Sequence, residues 1–458
     1  MRDWQTDSHD ALTASDGVAA LARTVLVVTD SLSGVTTLGQ ALIDLGYRVQ
    51  VALAADGVVR GMPHTQPDAV LFQLDAHLGE ATAIVRATRA HIRSPLVPLI
   101  GFLSAEIGTG TEIETEIETE IEMGTETLDA ETFDSVLYHD AHPKQVAHRV
   151  DAMIRLQAMQ HEILRRAQVL RTHFAQDHVI DGAALIRRLR VLFIGKARPD
   201  FMVVMNSLRA RDVDVVAAFT SFTAFDYLHG REFDAVIIDA TESAEPARSI
   251  LESMARNVRL YHVPKLLLAG RTDTAALPDS VRRLATDVVT SMRSTEELAN
   301  RVLEPARYHC IHSRLRAEFE AMGDKRVRDP DTGLYTAEFL RAYLAFMDAE
   351  GERRVLCRVR LVPQAPYAID PAFVRVAMAQ AGGLIGGLVR LNDLVARLSE
   401  DEFAIAVPVM SARNLSRMMG RVAEVIECAA FESGKKGQGT FAMTADVRLG
   451  TVEDQQAA

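Results

Sequence analysis

The chain has 458 residues, of which 48% are hydrophobic and 24% charged, and its formal net charge at pH 7 is −12. At roughly 100–200 residues per domain, this length and composition predict about three folded soluble domains. The acidic balance argues against a domain that binds nucleic-acid phosphates. No run approaches the roughly 18 apolar residues of a membrane-spanning helix, and the start MRDWQTDSHD lacks the order of a signal peptide. We therefore expect a cytoplasmic protein that does not insert into membranes.

The 3 cysteines, Cys310, Cys357 and Cys428, are far apart and odd in number. This excludes a disulfide framework and a CxxC metal site. We expect buried free thiols.

After a polar leader, residues 1–22, the short β-branched run Thr24–Val28 is typical of a buried parallel strand. A helical pattern follows, and three more strands are predicted, at Val49–Leu53, Ala69–Phe72 and Leu96–Ile100. Strands that alternate with helical patterns predict a doubly wound α/β sheet, over residues 23–145. An acidic insert, residues 105–128, repeats TEIE and predicts a solvated loop without assigned function.

The same order recurs over residues 188–305, where Phe233-Asp234-Ala235-Val236 echoes Pro67-Asp68-Ala69-Val70. The predicted strands are Arg190–Ile194, Val213–Ala218, Ala235–Ile238 and Lys265–Ala269. The sequence therefore predicts two sheets of one design in tandem.

Two helical segments connect the predicted domains. In the linker, residues 146–187, Leu156, Ile163 and Leu170 recur every seven residues. This spacing fits either a helix that packs on its own domain or a dimer seam, and both interpretations stay open. A second helical stalk, residues 306–328, is predicted to begin after Pro305.

The two repeats resemble response-regulator receiver domains, which implies flavodoxin-like folds. In that family an acidic pair binds Mg²⁺, an aspartate after the third strand accepts the phosphoryl group, and a lysine contacts the phosphate. In the first repeat the acceptor position is Gln73, with Asp75 two residues later, the acidic-pair position reads Thr29-Asp30, and Tyr138–Ala141 supplies no lysine. This repeat is not expected to be phosphorylated.

In the second repeat Asp239 stands at the acceptor position. The acidic pair is replaced by Gly195-Lys196, and a lysine there would repel a divalent metal. The lysine position falls near Ser291. Asp239 is the one candidate phosphorylation site, although a retained strand-end residue is the more favoured interpretation, and both receivers are predicted to be scaffolds for interaction or dimerisation.

From Asp329 the chain reads DPDTGLYTAEFL, and later RLNDLVARLSEDEFAIAVP. These segments resemble the start and the hairpin of diguanylate cyclase (GGDEF) domains, so residues 329–458 are expected to have that α/β fold. Two receiver-like domains in front of it give the order of PleD-type cyclases. The chain ends at Ala458, which implies that the family's last helix and strand are absent or shortened.

The residues of the resembled catalytic site are replaced. Ser399 and Glu400 stand where the family has the Gly-Gly turn that lets backbone approach a triphosphate. Arg358 and Arg360 occupy the strand positions where the family places its metal aspartate. Asp401 could still be a ligand, but one ligand does not make a site. We expect no catalysis, no metal and no cofactor.

The resemblance extends to the family's inhibitory site, which binds cyclic di-GMP. Arg390-Leu391-Asn392-Asp393 precedes the Ser399-Glu400 pair at the spacing of the RxxD motif, and Arg421 falls where the family supplies a second arginine. A guanidinium can pair with guanine O6 and N7, and a carboxylate can accept from guanine N–H groups. RxxD alone is a weak signal, since it occurs elsewhere in the chain and could be a surface ion pair worth about 0–1 kcal/mol. The position before the hairpin favours a ligand site.

The sequence thus favours a non-catalytic cyclic di-GMP effector that binds a dimer of the nucleotide through Arg390, Asp393 and Arg421. The resemblance further implies a homodimer with a cell-cycle role, which recruits protein partners, at the cell pole, for delivery of a substrate to a protease. Two alternatives remain: a weakly active cyclase, and a scaffold that binds no nucleotide.

Overall fold

The computed structural model describes residues 23–29, 35–55, 58–60, 66–74, 78–92, 97–103, 133–137, 141–178, 187–257, 259–270, 277–290, 295–364, 370–410, 412–432 and 440–449. The chain forms two compact units. One contains Arg23–Ala158 and Asp181–Leu315, and the other contains Met159–Ile180 and Arg316–Ala458. Within these described segments no helix has the length and apolar character needed to cross a membrane. The acidic insert, Asp30, Asp75, Tyr138–Asp140 and Ser291 lie outside the described residues.

The first sheet has the strand order β3-β2-β1-β4-β5-β6. All pairs are parallel except β2 with β3, which form an antiparallel edge. Without that edge strand the order is the 2-1-3-4-5 of a flavodoxin-like doubly wound sheet. The strands are β1 (Thr24–Thr29), β2 (Arg48–Ala55), β3 (Val58–Arg60), β4 (Ala69–Leu74), β5 (Leu99–Leu103) and β6 (Ser135–Leu137), and the described helices between them are Val35–Asp44 and Leu78–His91.

The second sheet is entirely parallel and has the order β11-β10-β9-β7-β8, again 2-1-3-4-5. Its strands are β7 (Arg190–Ile194), β8 (Asp214–Ala218), β9 (Ala235–Asp239), β10 (Lys265–Ala269) and β11 (Asp287–Thr290). The helices are Pro199–Arg209, Ser221–Gly230, Ala244–Arg256 and Asp279–Arg282. The predicted tandem of two flavodoxin-like sheets is confirmed.

Both faces of the second sheet are buried. Val191 and Phe193 of β7 belong to one apolar core, and Leu192 and Ile194 belong to the core on the other face. Because side chains alternate across a strand, a strand buried on both faces must be apolar throughout. This explains why the sequence shows continuous apolar runs here and no alternation.

The repeated aspartate of the two sheets has the same function in each. Asp68 Oδ2 accepts from the backbone N–H of Thr24 at 2.7 Å, and Asp234 Oδ2 accepts from that of Arg190 at 2.8 Å. Each carboxylate therefore satisfies the donor at the start of the first strand of its sheet. Asp234 also forms a bidentate pair with Arg187, at 2.9 Å for both contacts.

Two long helices, Pro143–Phe174 and Thr295–Ala321, follow the two sheets. Leu156, Ile163 and Leu170 are all buried within the chain, so the seven-residue repeat is used for internal packing and is not an open dimer seam. The predicted start of the second helix after Pro305 was wrong, because the helix continues through this proline. Proline removes one N–H of the helix without necessarily ending it.

The third sheet is mixed, with the order β12-β14-β15-β13-β17-β16. The predicted hairpin is the antiparallel pair β14–β15, and β13 lies between β15 and β17. The strands are β12 (Tyr335–Thr336), β13 (Arg354–Gln364), β14 (Leu394–Arg397), β15 (Glu402–Pro408), β16 (Phe431–Glu432) and β17 (Thr440–Leu449), and the helices are Ala337–Ala349, Pro371–Leu388 and Ala412–Cys428.

Cys310 and Cys357 are buried free thiols, but Cys428 is exposed, so that prediction was wrong for one cysteine. The helix Ala412–Cys428 turns Leu415, Met419, Val422 and Ile426 to the core. This spacing of three or four residues places Cys428 on another face of the helix.

Candidate functional site

The RxxD segment forms a closed turn between a helix and a strand. The helix Pro371–Leu388 ends where Val389 adopts an extended conformation, and β14 begins at Leu394. Within the turn, the Asp393 N–H donates to the Arg390 carbonyl at 2.9 Å, and the Arg390 N–H donates to Asp393 Oδ2 at 2.9 Å. The Arg390 side chain is exposed. The turn thus presents its arginine outward and uses its aspartate to hold its own backbone.

The Asp393 carboxylate is 5% exposed. Its Oδ1 is buried and has no hydrogen-bond partner among the described residues. Burial raises the pKa of this carboxyl, against the lowering effects of the Arg390 N–H and of the Arg390 and Arg166 charges. One oxygen therefore closes the turn, and the other, Oδ1, is buried beside it without a partner.

Arg421, on the helix Ala412–Cys428, lies beside this turn. Its Nη2 donates to the carbonyl of Leu388, two residues before Arg390, at 2.6 Å. The structure thus brings the three residues that sequence predicted for the ligand, Arg390, Asp393 and Arg421, to one corner of the third sheet.

The sequence did not predict that Arg166 and Glu162, on the helix Pro143–Phe174, belong to this corner. Arg166, on the helix Pro143–Phe174, donates through Nη2 to the carbonyls of Leu391 at 3.3 Å and Asp393 at 3.1 Å. Its Nε donates to Glu162 Oε1 at 2.7 Å. The other oxygen of Glu162 accepts from Tyr343 Oη at 3.0 Å and Arg354 Nη2 at 3.1 Å.

The charges in this group are buried together. Burial lowers the pKa of Arg166, but the neighbouring Glu162 carboxylate and Tyr335 and Tyr343 raise it above its ordinary value. The only sequence signal is a Glu–Arg pair at i, i+4, which is also common on exposed helix faces. Nothing local indicates that the partners lie some two hundred residues away.

The acids of the hairpin between β14 and β15 are neutralised by arginines. Arg358 forms a bidentate pair with Glu402, Nε–Oε1 at 2.8 Å and Nη2–Oε2 at 3.0 Å. Arg360 Nε lies 3.0 Å from Asp401 Oδ2, and Ser399 Oγ donates to Asp401 Oδ1 at 2.9 Å. Burial raises the pKa of Asp401, but these two donors and the Arg360 charge hold it below the ordinary value. Both acids are therefore paired with Arg358 and Arg360, which stand where the resembled family has its metal aspartate.

A cyclase of the resembled family would need Mg²⁺ at this hairpin. Carboxylates that are already paired with arginine are poor ligands for a divalent cation, because the guanidinium takes the oxygens and repels the ion. The described residues contain no cluster of three or more histidine, cysteine, aspartate or glutamate side chains arranged to hold a metal. The residues present do not fit a magnesium site.

Arg397, at the end of β14, links this hairpin to the start of the domain. Its Nη1 lies 3.1 Å from Asp329 Oδ1 and 3.2 Å from Asp331 Oδ2. Its Nε and Nη2 donate to the carbonyls of Ser399 and Glu400 at 3.0 and 3.3 Å. The hairpin backbone is thus fixed by an arginine that the family resemblance did not single out.

The acceptor position of the first receiver-like sheet is Gln73, which is buried on β4 between Thr29 of β1 and Phe102 of β5. An amide cannot accept a phosphoryl group as a carboxylate does, so this position carries no phosphorylation chemistry.

Asp239 of the second sheet is tied to its neighbours. Its Oδ1 accepts from Thr241 N at 3.0 Å and Thr241 Oγ1 at 2.6 Å, and its Oδ2 accepts from Lys196 N at 3.4 Å. The Lys196 ammonium, at the position of the family's acidic pair, contacts Glu242. A Cβ on Gly195 would lie 2.3 Å from Asp239 Cβ, so this glycine permits the close approach.

No protein-family model and no curated protein sequence matches the chain. Among solved structures, a response regulator from Thermotoga maritima is 21% identical, with 26% of this chain and 98% of that chain covered and a TM-score of 0.24. The GGDEF domain of DgcB from Caulobacter crescentus, solved with c-di-GMP, is 14% identical and covers 30% of this chain and 82% of that chain, with a TM-score of 0.24.

Diguanylate cyclase SiaD from Pseudomonas aeruginosa, solved with its activator SiaC, is 21% identical, with 32% of this chain and 59% of that chain covered and a TM-score of 0.24. The three structures named here are thus a response regulator, a GGDEF domain and a diguanylate cyclase, while the fold itself rests on the strand orders given above.

Proposed function

We propose that this protein is a non-catalytic cyclic di-GMP effector, similar to the PopA type of degenerate cyclase. The observation that carries the proposal is the convergence of Arg390, Asp393 and Arg421 at one corner of the third sheet. An exposed guanidinium and a second arginine provide the donors that a guanine edge needs, and Asp393 Oδ1, buried without a partner, supplies the acceptor once the turn opens to the ligand.

The charge of this corner suits an anionic nucleotide although the whole chain is acidic. The Arg390 guanidinium forms no ion pair with any described residue, so its donors are available. Arg421 gives one donor to Leu388 and retains others. Two arginines can each form paired hydrogen bonds with guanine or phosphate, and such charge-assisted contacts are the stronger ones.

The absence of catalysis is part of the proposal. It is supported by the pairing of Asp401 and Glu402 with Arg360 and Arg358, and by side chains on both residues of the former Gly-Gly turn. Incubation of the purified chain with GTP and Mg²⁺ tests this part. We expect no cyclic di-GMP above the protein-free control, and accumulation of product that requires the protein would show a weak cyclase.

Equilibrium binding of labelled cyclic di-GMP tests the site. We expect the wild type to bind, and Arg390→Ala and Arg421→Ala to bind at least about tenfold more weakly, a loss of about 1.4 kcal/mol per contact pair. Arg353→Ala is the matched control, because Arg353 is an exposed arginine outside the turn. Binding of equal strength by all four proteins would place the ligand elsewhere.

We further propose, on the resemblance, that the loaded protein acts in the cytoplasm as a homodimer, and that it recruits protein partners at the cell pole for regulated proteolysis. A fluorescent fusion tests this. Polar foci of the wild type that disperse in Arg390→Ala support the proposal, whereas uniform fluorescence of the wild type contradicts it.

A further inference from the structure

One arginine of the helix Pro143–Phe174 holds the ligand turn from its buried side. Arg166 is 3% exposed and donates to two carbonyls of the four-residue turn, those of Leu391 and Asp393. These carbonyls flank Asn392, so the contacts restrain the half of the turn that carries the aspartate. Arg390, at the other end, is left to point outward.

The guanidinium of Arg166 is itself held by a carboxylate and two aromatic rings. Glu162 accepts from its Nε at 2.7 Å, and the aromatic rings of Phe319 and Tyr335 lie with their centroids 4.9 and 5.4 Å from its Cζ. A side chain held by an ion pair and two rings has few alternative rotamers. The position of the turn backbone therefore depends on the position of this helix segment, residues 159–174.

We infer that Arg166 is a positioning residue of the ligand site, and that docking of residues 159–174 against the turn is coupled to nucleotide binding. The inference rests on the proposed function and adds to it that residues 159–174 respond when nucleotide binds at the turn. Coupling free energies are reciprocal: if the docked helix strengthens nucleotide binding, bound nucleotide must stabilise the docked helix by the same amount. The Arg166 charge also opposes the rise in the pKa of Asp393.

The test uses the full-length chain and titrates cyclic di-GMP into wild type and Arg166→Met. Methionine keeps most of the apolar volume but removes all donors. We expect affinity to fall at least about tenfold, which is about 1.4 kcal/mol. Arg165→Met is the matched control: Arg165 lies on the same helix, pairs with Glu352 and lies 4.0 Å from Glu162, and it forms no hydrogen bond with the described residues of the turn. Its affinity should stay within about twofold of wild type.

Arg166→Met leaves Glu162 with fewer partners and could unfold the domain. The double variant Glu162→Gln/Arg166→Met removes two of the three charges buried in this cluster and leaves Arg354 with Glu352, 4.0 Å away, as its acidic partner. In the double variant too, affinity should fall at least about tenfold while circular dichroism shows a folded protein.

Hydrogen exchange supplies a readout that a merely structural role would not change. Saturating cyclic di-GMP should slow amide exchange in residues 159–174 of the wild type, and it should not do so in the double variant at equal occupancy. Unchanged affinity in a folded Arg166 variant, or wild-type binding without protection of this helix, overturns the inference alone. No binding by the wild type overturns the proposed function as well.

Discussion

Glu162→Gln tests whether the buried charge cluster stabilises the unit that carries the ligand turn. The Glu162 carboxylate is 1% exposed and accepts from Arg166, Tyr343 and Arg354. Glutamine keeps the size and one acceptor but removes the negative charge. The substitution leaves two guanidinium groups, those of Arg166 and Arg354, without their shared counter-ion.

The expected loss of stability in Glu162→Gln follows from the burial of these charges. Removing one partner of a buried ion pair typically destabilises a protein by about 3–5 kcal/mol, because the remaining charge is left uncompensated. Arg354 keeps a distant partner, Glu352, at 4.0 Å, and this offsets only a small part. We expect the free energy of unfolding of this unit to fall by about 3–5 kcal/mol.

Urea denaturation with hydrogen exchange on the third sheet is the assay, since a chain with two compact units need not unfold in one step. Glu352→Gln is the control: its side chain contacts Arg165 and Arg354 but is 44% exposed, so the expected loss is about 0–1 kcal/mol. Equal losses for Glu162→Gln and Glu352→Gln would refute the reasoning.

Three further predictions concern the second sheet. Lys265 is 7% exposed, and burial lowers its pKa from 10.5 to about 8. Between these pH values the native state binds fewer protons than the unfolded chain, so the free energy of unfolding should rise from pH 8 to 10.5. Thermal unfolding of Lys265→Met should lack this part of the rise. Gly195→Ala should lower the free energy of unfolding by about 1–3 kcal/mol in chemical denaturation, because its Cβ would overlap Asp239. The control Gly230→Ala, whose Cβ would have no atom within 4 Å, should lower it by less than about 0.5 kcal/mol. After incubation with acetyl phosphate and Mg²⁺, mass spectrometry should show no added phosphoryl group on the chain. A phosphoryl group on Asp239 would contradict the interpretation of the second sheet as a scaffold.

Much of the fold was predictable because its strands are locally encoded. Runs such as Arg190–Ile194 and Lys265–Ala269 are short, apolar and bounded by polar residues, and the observed strands have the same limits. The short strands β3 and β6 were not predicted, since three residues carry too little pattern. The sequence predicts that the second long helix begins after Pro305, whereas the helix begins at Thr295 and contains this proline.

The candidate site was predictable only in part. Motif spacing identified Arg390, Asp393 and Arg421, and the structure places them together. Motif spacing could not show that Asp393 points into its own turn, because side-chain direction depends on packing. The contact from Arg166 joins residues separated by 227 positions, and no local pattern encodes such a pair.

The ion pairs of Arg358 with Glu402 and of Arg360 with Asp401 could be predicted from the sequence only in part. The sequence places Arg358 and Arg360 where the resembled family has its metal aspartate, but it does not show that they pair with Glu402 and Asp401. Antiparallel pairing of β13 with β15 brings the two pairs together, since Arg360 lies directly opposite Glu402. Long-range register therefore decides how these two acids are neutralised.

The most direct test of the account is a calorimetric titration of cyclic di-GMP into the full-length protein and into Arg390→Ala. A stacked nucleotide dimer predicts two ligands bound per wild-type chain, with binding lost or at least about tenfold weaker in the variant. Absence of binding heat with the wild type would contradict the effector function, and identical isotherms for the two proteins would contradict the site.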